Sequence, residues 1–182
     1  MPQSIRHLTG FATIPQGYLM KKYTNNYTEL LGQGDAILYG RTTYQLMEFW
    51  RTLLENPSEE KSMNDFATAI DKIPKIVFSH TLKNVDWKSA TIAKRDLKET
   101  VLELKQQSGK DIFVGSPSLI IQLMKLNLID EYQLCVHPVV AGSGLPLFEN
   151  INNRTILKLI KTKTFSGGAV TLYFEPTKNL ST

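Results

Sequence analysis

One pattern constrains this chain more than any other, and it occurs twice: an apolar run, a glycine, polar residues, then a helix with one apolar face. The fuller copy lies within Gly109 to Glu149. Ile112-Phe113-Val114, bounded by Asp111 and Gly115, reads as a buried strand. Ser116 stands where a helix cap belongs, and Pro117 takes the first helical position, where its missing N–H costs nothing. Leu119, Ile120, Leu123 and Met124 recur at helical spacing, and Asn127 can end the helix. The helix thus starts just past the carboxyl end of a strand, and Gly115 lets a ligand come close to the backbone. Unpaired N–H groups and the positive end of the helix dipole suit a phosphate there. An ordinary capped strand–helix unit has the same spacing, so the pattern by itself leaves both readings open.

The second copy is Asp35-Ala36-Ile37-Leu38-Tyr39-Gly40, followed by Arg41-Thr42-Thr43-Tyr44 and a helix expected to run to about Leu54. Its expected apolar face is Leu46, Met47, Trp50, Leu53 and Leu54. Here a guanidinium joins the hydroxyls. Arg41 can hold a phosphate through two parallel hydrogen bonds, or it can be a solvated residue after a strand.

The rest of the chain fits an α/β domain. A helix is expected over Tyr23 to Leu31, stopped by Gly32 and Gly34. Glu55 to Met63 reads as a surface loop, Phe66 to Ile70 as a short helix, and Pro74 to His80 as a strand. Trp87 falls in a polar connection, and Thr91 to Ala93 reads as a short strand. Asp96-Leu97-Lys98-Glu99 is a capping box, so a helix runs from there to Gln107 with Leu97, Val101, Leu102 and Leu104 inward. Tyr132 to Val140 is a further strand. Ile156 to Phe165 and Val170 to Phe174 alternate about the turn Ser166-Gly167-Gly168, which gives an antiparallel hairpin. The expected architecture is a mainly parallel central sheet with helices on both sides and an antiparallel C-terminal hairpin, in a single domain over residues 1–182. Ligands bind along the carboxyl edge of such sheets.

Composition narrows the function classes. The chain has 182 residues and a net charge of +4, with lysines spread along it rather than gathered in a basic block. No nucleic-acid module is recognisable, no run is apolar enough to span a bilayer, and no signal peptide opens the chain. A cytoplasmic protein without nucleic-acid or membrane partners is expected. The single cysteine, Cys135, lies in an apolar strand and reads as core packing. The three histidines lack metal-ligand spacing, so no metal is expected. His80 reads either as a contact to an anionic ligand or as a surface residue.

Four motifs occur in order: Gly40-Arg41-Thr42-Thr43-Tyr44, Lys75-Ile76-Val77-Phe78-Ser79, Asp111 to Ser116, and His137-Pro138-Val139-Val140-Ala141-Gly142-Ser143-Gly144. Together they resemble the dihydrofolate-reductase-like family that includes the reductase domain of the bifunctional deaminase–reductase of riboflavin biosynthesis. The resemblance covers nearly the whole chain. It implies the three-layer sandwich of that family and a homodimeric reductase using NADPH. The reaction implied is hydride transfer to a C=N or C=O group of a small molecule, a pyrimidine-, pterin- or ribose-linked substrate such as an aminouracil. By the same resemblance, Gly40, Arg41, Thr42 and Thr43 would hold the adenosine-side phosphates, and Ser79 and His80 would border the adenosine. Gly115, Ser116, Ser118 and Leu119 would cradle the pyrophosphate or the nicotinamide side. Gly142 and Gly144 would lie in a loop closing on the nicotinamide or on a partner subunit. The deaminase zinc pattern is absent from this sequence.

The sequence departs from the family at its start. His7-Leu8-Thr9-Gly10 matches a Ser-Leu-Asp-Gly segment, so Thr9 stands where an aspartate is usual. A threonine can hydrogen-bond a substrate but cannot act as a carboxylic acid near neutral pH. The proton would then come from water, the true start would be cut short, or the chain would be a degenerate dinucleotide-binding dimer. A general anion-binding α/β module is a further alternative.

Overall fold

A computed structural model describes residues 2–8, 27–140, 142–144, 146–151, 154–165 and 167–177. Eight strands form one sheet: β1 (Ile5–Leu8), β2 (Gly34–Gly40), β3 (Lys75–Phe78), β4 (Ala90–Ile92), β5 (Asp111–Val114), β6 (Glu131–Val136), β7 (Leu157–Thr164) and β8 (Val170–Pro176). The spatial order is β4-β3-β2-β5-β1-β6-β8-β7. The first six in that order are parallel; β8 runs against β6, and β7 against β8.

The apolar runs fill both faces of the parallel part. On one face, Ile37, Tyr39, Val77 and Phe113 pack with a helical turn at residues 27–31 and with α1 (Arg41–Met47), α2 (Phe49–Glu55) and α3 (Lys61–Lys72). On the other, Ile5, Leu38, Ile112 and Val114 pack with α4 (Leu97–Gln106) and α5 (Pro117–Lys125). This is an α/β three-layer fold, mostly parallel with antiparallel C-terminal strands. None of its helices is long and apolar enough to cross a membrane among the described residues.

Several local expectations shift. The helix after Gly40 is two helices, broken at Glu48. The apolar face is narrower than expected: Met47 and Trp50 are buried, while Leu46 and Leu54 are 57% and 42% exposed. Leu102 likewise points outward on α4. The loop before α3 is shorter than expected, because α3 already begins at Lys61. Trp87, in its polar connection, is a core residue: its Nε1–H donates to Asp71 Oδ1 at 2.6 Å and its ring packs near Tyr44. Cys135 is half-buried rather than core. The N-cap half of the capping box forms, with Asp96 Oδ1 accepting from the Glu99 N–H at 2.8 Å.

The hairpin carries a β-bulge. Leu159 pairs with Phe174 and Lys161 with Tyr173, so Ile160 has no residue opposite it. Paired residues share a face. Lys161 and Lys163 therefore lie on the face of Tyr173 and Thr171, whereas unbroken alternation would put them on the face of Leu159.

Candidate functional site

The carboxyl ends of β3, β2, β5 and β1 lie side by side along one edge. Both copies of the strand–glycine–helix pattern open there, and they are joined. The Gly40 N–H donates to Ser116 Oγ at 2.8 Å. Ser116 occupies the capping position of α5, but its hydroxyl makes no capping bond, because Gly40 has claimed it. The expectation of a side-chain cap at Ser116 is thereby corrected: a contact across 76 positions of sequence displaces a local one.

Space and charge at this edge favour an anion. A Cβ on Gly40 would sit 3.4 Å from Ser118 Oγ and 3.8 Å from Ser116, filling the gap between the two helix starts. Neither α1 nor α5 has an acidic residue in its first turn. The positive end of α5 is therefore not neutralised locally. Arg41 and Thr42 are exposed, as is Ser118, while Ser116 and Gly115 are buried. Arg41 Nη1–H donates to Thr81 Oγ1 at 3.3 Å. Thr81 is itself held in a turn, where Ser79 Oγ accepts from the N–H groups of Thr81 and Leu82 at 3.1 and 2.9 Å.

Gly40, Arg41, Thr42, Gly115, Ser116 and Ser118 are thus gathered at one place, with Ser79 and exposed His80 at its β3 side. Two of the expected residues have side chains turned inward. Thr43 is buried, and Leu119 belongs to the core, its N–H already bonded to Ser116 O at 3.0 Å. Gly142 and Gly144 lie in the exposed segment after β6. A Cβ at either would meet nothing within 4 Å, and Gly142 has a φ of +73°. Thr9 lies outside the described residues. Among the described residues, no three His, Cys, Asp or Glu side chains are grouped to hold a metal. Sequence reasoning missed Thr81, whose only signal was its position two residues past Ser79.

A cavity of about 350 Å³ lies on the other half of the sheet, between the helical turn at 27–31 and the hairpin. Its floor is Arg6, Gln133, Cys135 and Tyr173; Tyr27 and Glu29 form one wall, and Lys161 and Lys163 the other. Arg6 is held by two carboxylates. Nη1 donates to Glu131 Oε1 at 2.8 Å, and Nε lies 2.8 Å from Asp111 Oδ2, near enough for charge pairing but out of line for a hydrogen bond. Lys163 pairs with Glu29 at 3.1 Å. Burial raises the Tyr27 phenol well above its ordinary range, so it stays protonated.

The family model described as the RibD C-terminal domain matches residues 13–171. The chain belongs to this family. It is 38% identical over 149 residues to the Bacillus subtilis protein YyaP, covering 81% of this chain and 77% of that one. To YwjB of the same organism it is 30% identical over 151 residues, covering 82% and 78%. Among solved structures, a putative riboflavin biosynthesis protein from a Shewanella species superposes with a TM-score of 0.66 at 17% identity, over 98% of this chain and 100% of that one. The Thermotoga maritima diaminohydroxyphosphoribosylaminopyrimidine deaminase/5-amino-6-(5-phosphoribosylamino)uracil reductase gives 0.58 at 12% identity, over 97% of this chain and 57% of that one. The fold, a mostly parallel sheet with helices and antiparallel C-terminal strands, matches that of RibD reductase-type structures.

Proposed function

We propose that this chain is an NADPH-dependent reductase acting on a C=N or C=O group of a small substrate, related in chemistry to aminouracil reduction. Membership of the RibD C-terminal domain family supports the reaction class. The observation that carries the cofactor is the joined pair of turns at Gly40 and Ser116: two helix starts without acidic residues, a gap a Cβ would close, and exposed Arg41, Thr42 and Ser118 around it.

These residues fit a dinucleotide. The backbone at Gly40 and Gly115 and the start of α5 would take the pyrophosphate, with Thr42 and Ser118 as hydroxyl donors. Arg41, steadied by Thr81, would hold a ribose 2′-phosphate with charge-assisted, bidentate bonds. When bound, the nicotinamide supplies the hydride, so the protein's share is binding, orientation and exclusion of water. Thr9 lacks the acid expected at its position, and the proton for the reduced atom would come from water. That same threonine is what favours the second reading, a dinucleotide-binding dimer without the chemistry.

A thermal-shift titration of wild type and Arg41→Ala with NADPH and NADH tests the reading, since a ligand bound only by the folded state raises Tm. Losing hydrogen bonds to a charged group costs about 1.5–3 kcal/mol, so NADPH affinity should fall roughly ten- to a hundred-fold, with NADH scarcely affected. Equal protection of both proteins by NADPH would make Arg41 a bystander. Absence of protection by either cofactor at millimolar concentration would leave a general anion-binding module.

The chain is also proposed to be a homodimer through its hairpin half. Val136, Val139, Ile156 and Leu159 are about half exposed or more, and Val140 is 99% exposed, a grouping that a second copy would cover. A monomeric mass in sedimentation at micromolar concentration would refute it.

A further inference from the structure

The connection that leaves β3 is fastened by its own residues. At its near end Ser79 Oγ accepts from the N–H groups of Thr81 and Leu82 at 3.1 and 2.9 Å, and lies 3.5 Å from Thr81 Oγ1. At its far end the Trp87 N–H donates to the Tyr44 hydroxyl at 3.4 Å and the Trp87 Nε1–H to Asp71 Oδ1 at 2.6 Å. Ser89 O accepts from the Lys75 N–H at 2.8 Å. Neither end needs Arg41.

Arg41 is placed differently. It is exposed, and among the described residues no carboxylate lies within ion-pair reach of it. Its one hydrogen bond among those residues runs from Nη1 to Thr81 Oγ1 at 3.3 Å. That bond engages one guanidinium nitrogen and leaves Nε and Nη2 for a bidentate contact. An exposed arginine samples many rotamers, and gripping a phosphate fixes it in one. A partner that narrows those rotamers beforehand strengthens the grip. Because the turn is already fastened, support runs from Thr81 to the arginine.

We propose that Thr81 is a positioning residue: its hydroxyl, set by the Ser79 turn, holds the Arg41 guanidinium ready for a ribose 2′-phosphate, and Thr81 itself does not touch the cofactor. This rests on the dinucleotide reading of the Gly40 edge. It adds that the choice between NADPH and NADH depends on a residue outside the binding contacts.

The full 182-residue chain is titrated by calorimetry with NADPH and NADH as wild type, Thr81→Val, Thr81→Ser, Arg41→Ala and the double variant Arg41→Ala/Thr81→Val. Valine keeps the branched shape and the backbone N–H that Ser79 holds, and removes only the hydroxyl. Thr81→Val should weaken NADPH binding roughly three- to ten-fold with NADH unchanged, and Thr81→Ser should retain wild-type affinity. In the Arg41→Ala background Thr81→Val should have no further effect, since the threonine acts through the arginine. Unchanged NADPH affinity in Thr81→Val overturns the proposal. So does an equal loss for both cofactors, which would make Thr81 part of the frame. An equal loss with and without Arg41 also overturns it, by putting Thr81 on the phosphate itself. A wild type with no preference for NADPH, or one whose preference survives Arg41→Ala, removes the reading beneath the proposal. A preference lost in Arg41→Ala and kept in Thr81→Val removes the proposal alone.

Discussion

Of the lysines that stand over aromatic rings, two from opposite halves of the sheet, Lys75 and Lys161, differ sharply in their surroundings. Lys75 Nζ is 4.0 Å from the Trp87 ring centroid and buried; its three hydrogens go to Ile73 O at 2.8 Å, Asp71 O at 3.3 Å and Ser89 Oγ at 2.8 Å. Lys161 lies over Tyr173, exposed and without an acceptor among the described residues. The serines of the α5 start divide likewise. Ser116 is buried and spends its hydroxyl on Gly40, while Ser118 stays exposed beside the same gap. In each pair one polar group is consumed in building the scaffold and the other is left exposed. The difference lies in what surrounds the residue, not in its type.

The largest expected break in this comparison comes from the ring beneath the consumed lysine. Trp87→Ala removes a buried ring together with the partner of Asp71, and should cost about 3–5 kcal/mol in urea unfolding. Little change would mean that Trp87 is not part of the core. The next effect is on pH. Burial pushes Lys75 down from 10.5 to about 7. Between those values the unfolded chain binds the extra proton, so stability should rise as pH increases through about 7 and flatten near 10.5, at up to about 1.4 kcal/mol per pH unit. Below about 7 both states are protonated and Lys75 adds no slope. Lys75→Met should flatten this window; a slope identical to wild type would show that Lys75 does not titrate there. Ser116→Ala leaves the Gly40 N–H without its acceptor and should cost about 1–3 kcal/mol, whereas Ser118→Ala should shift stability by under about 0.5 kcal/mol while weakening NADPH binding. Reversal of that order would exchange the two roles. Smallest of all, Lys161→Gln should move the urea midpoint by an amount equivalent to under about 0.5 kcal/mol, which a larger loss of stability would contradict.

The fold was readable because its signals are short-range. The apolar runs at Ile37 and Ile112, the capping box at Asp96 and the alternation after Ile156 each carry their own period. What escaped depends on contacts between distant residues. Ser116 looks like a cap until Gly40 arrives beside it. Trp87 sits among polar neighbours, and only Asp71 and Tyr44 explain its burial. Leu46 and Leu54 are exposed although their spacing fits the apolar face, because only the stripe through Thr43, Met47 and Trp50 meets the core. At the edge where Gly40 and Ser116 meet, the resemblance named residues that do gather, but not which ones face outward. The cavity was not foreseen, because the bulge at Ile160 puts Lys161 and Lys163 on a face that plain alternation denies them.

The place of β1 bears on how the chain comes together. This strand, first in the sequence, lies between β5 and β6, so Ile5 pairs with Ile112 and Arg6 with Glu131. Its neighbours leave the ribosome more than a hundred residues after it does. Until then β1 has no partner on either side, and the two halves of the sheet cannot join. Such long-range parallel pairing folds slowly and leaves apolar strand edges open to other chains meanwhile. Assembly should therefore be limited by insertion of Ile5 and its neighbours into a gap that closes last.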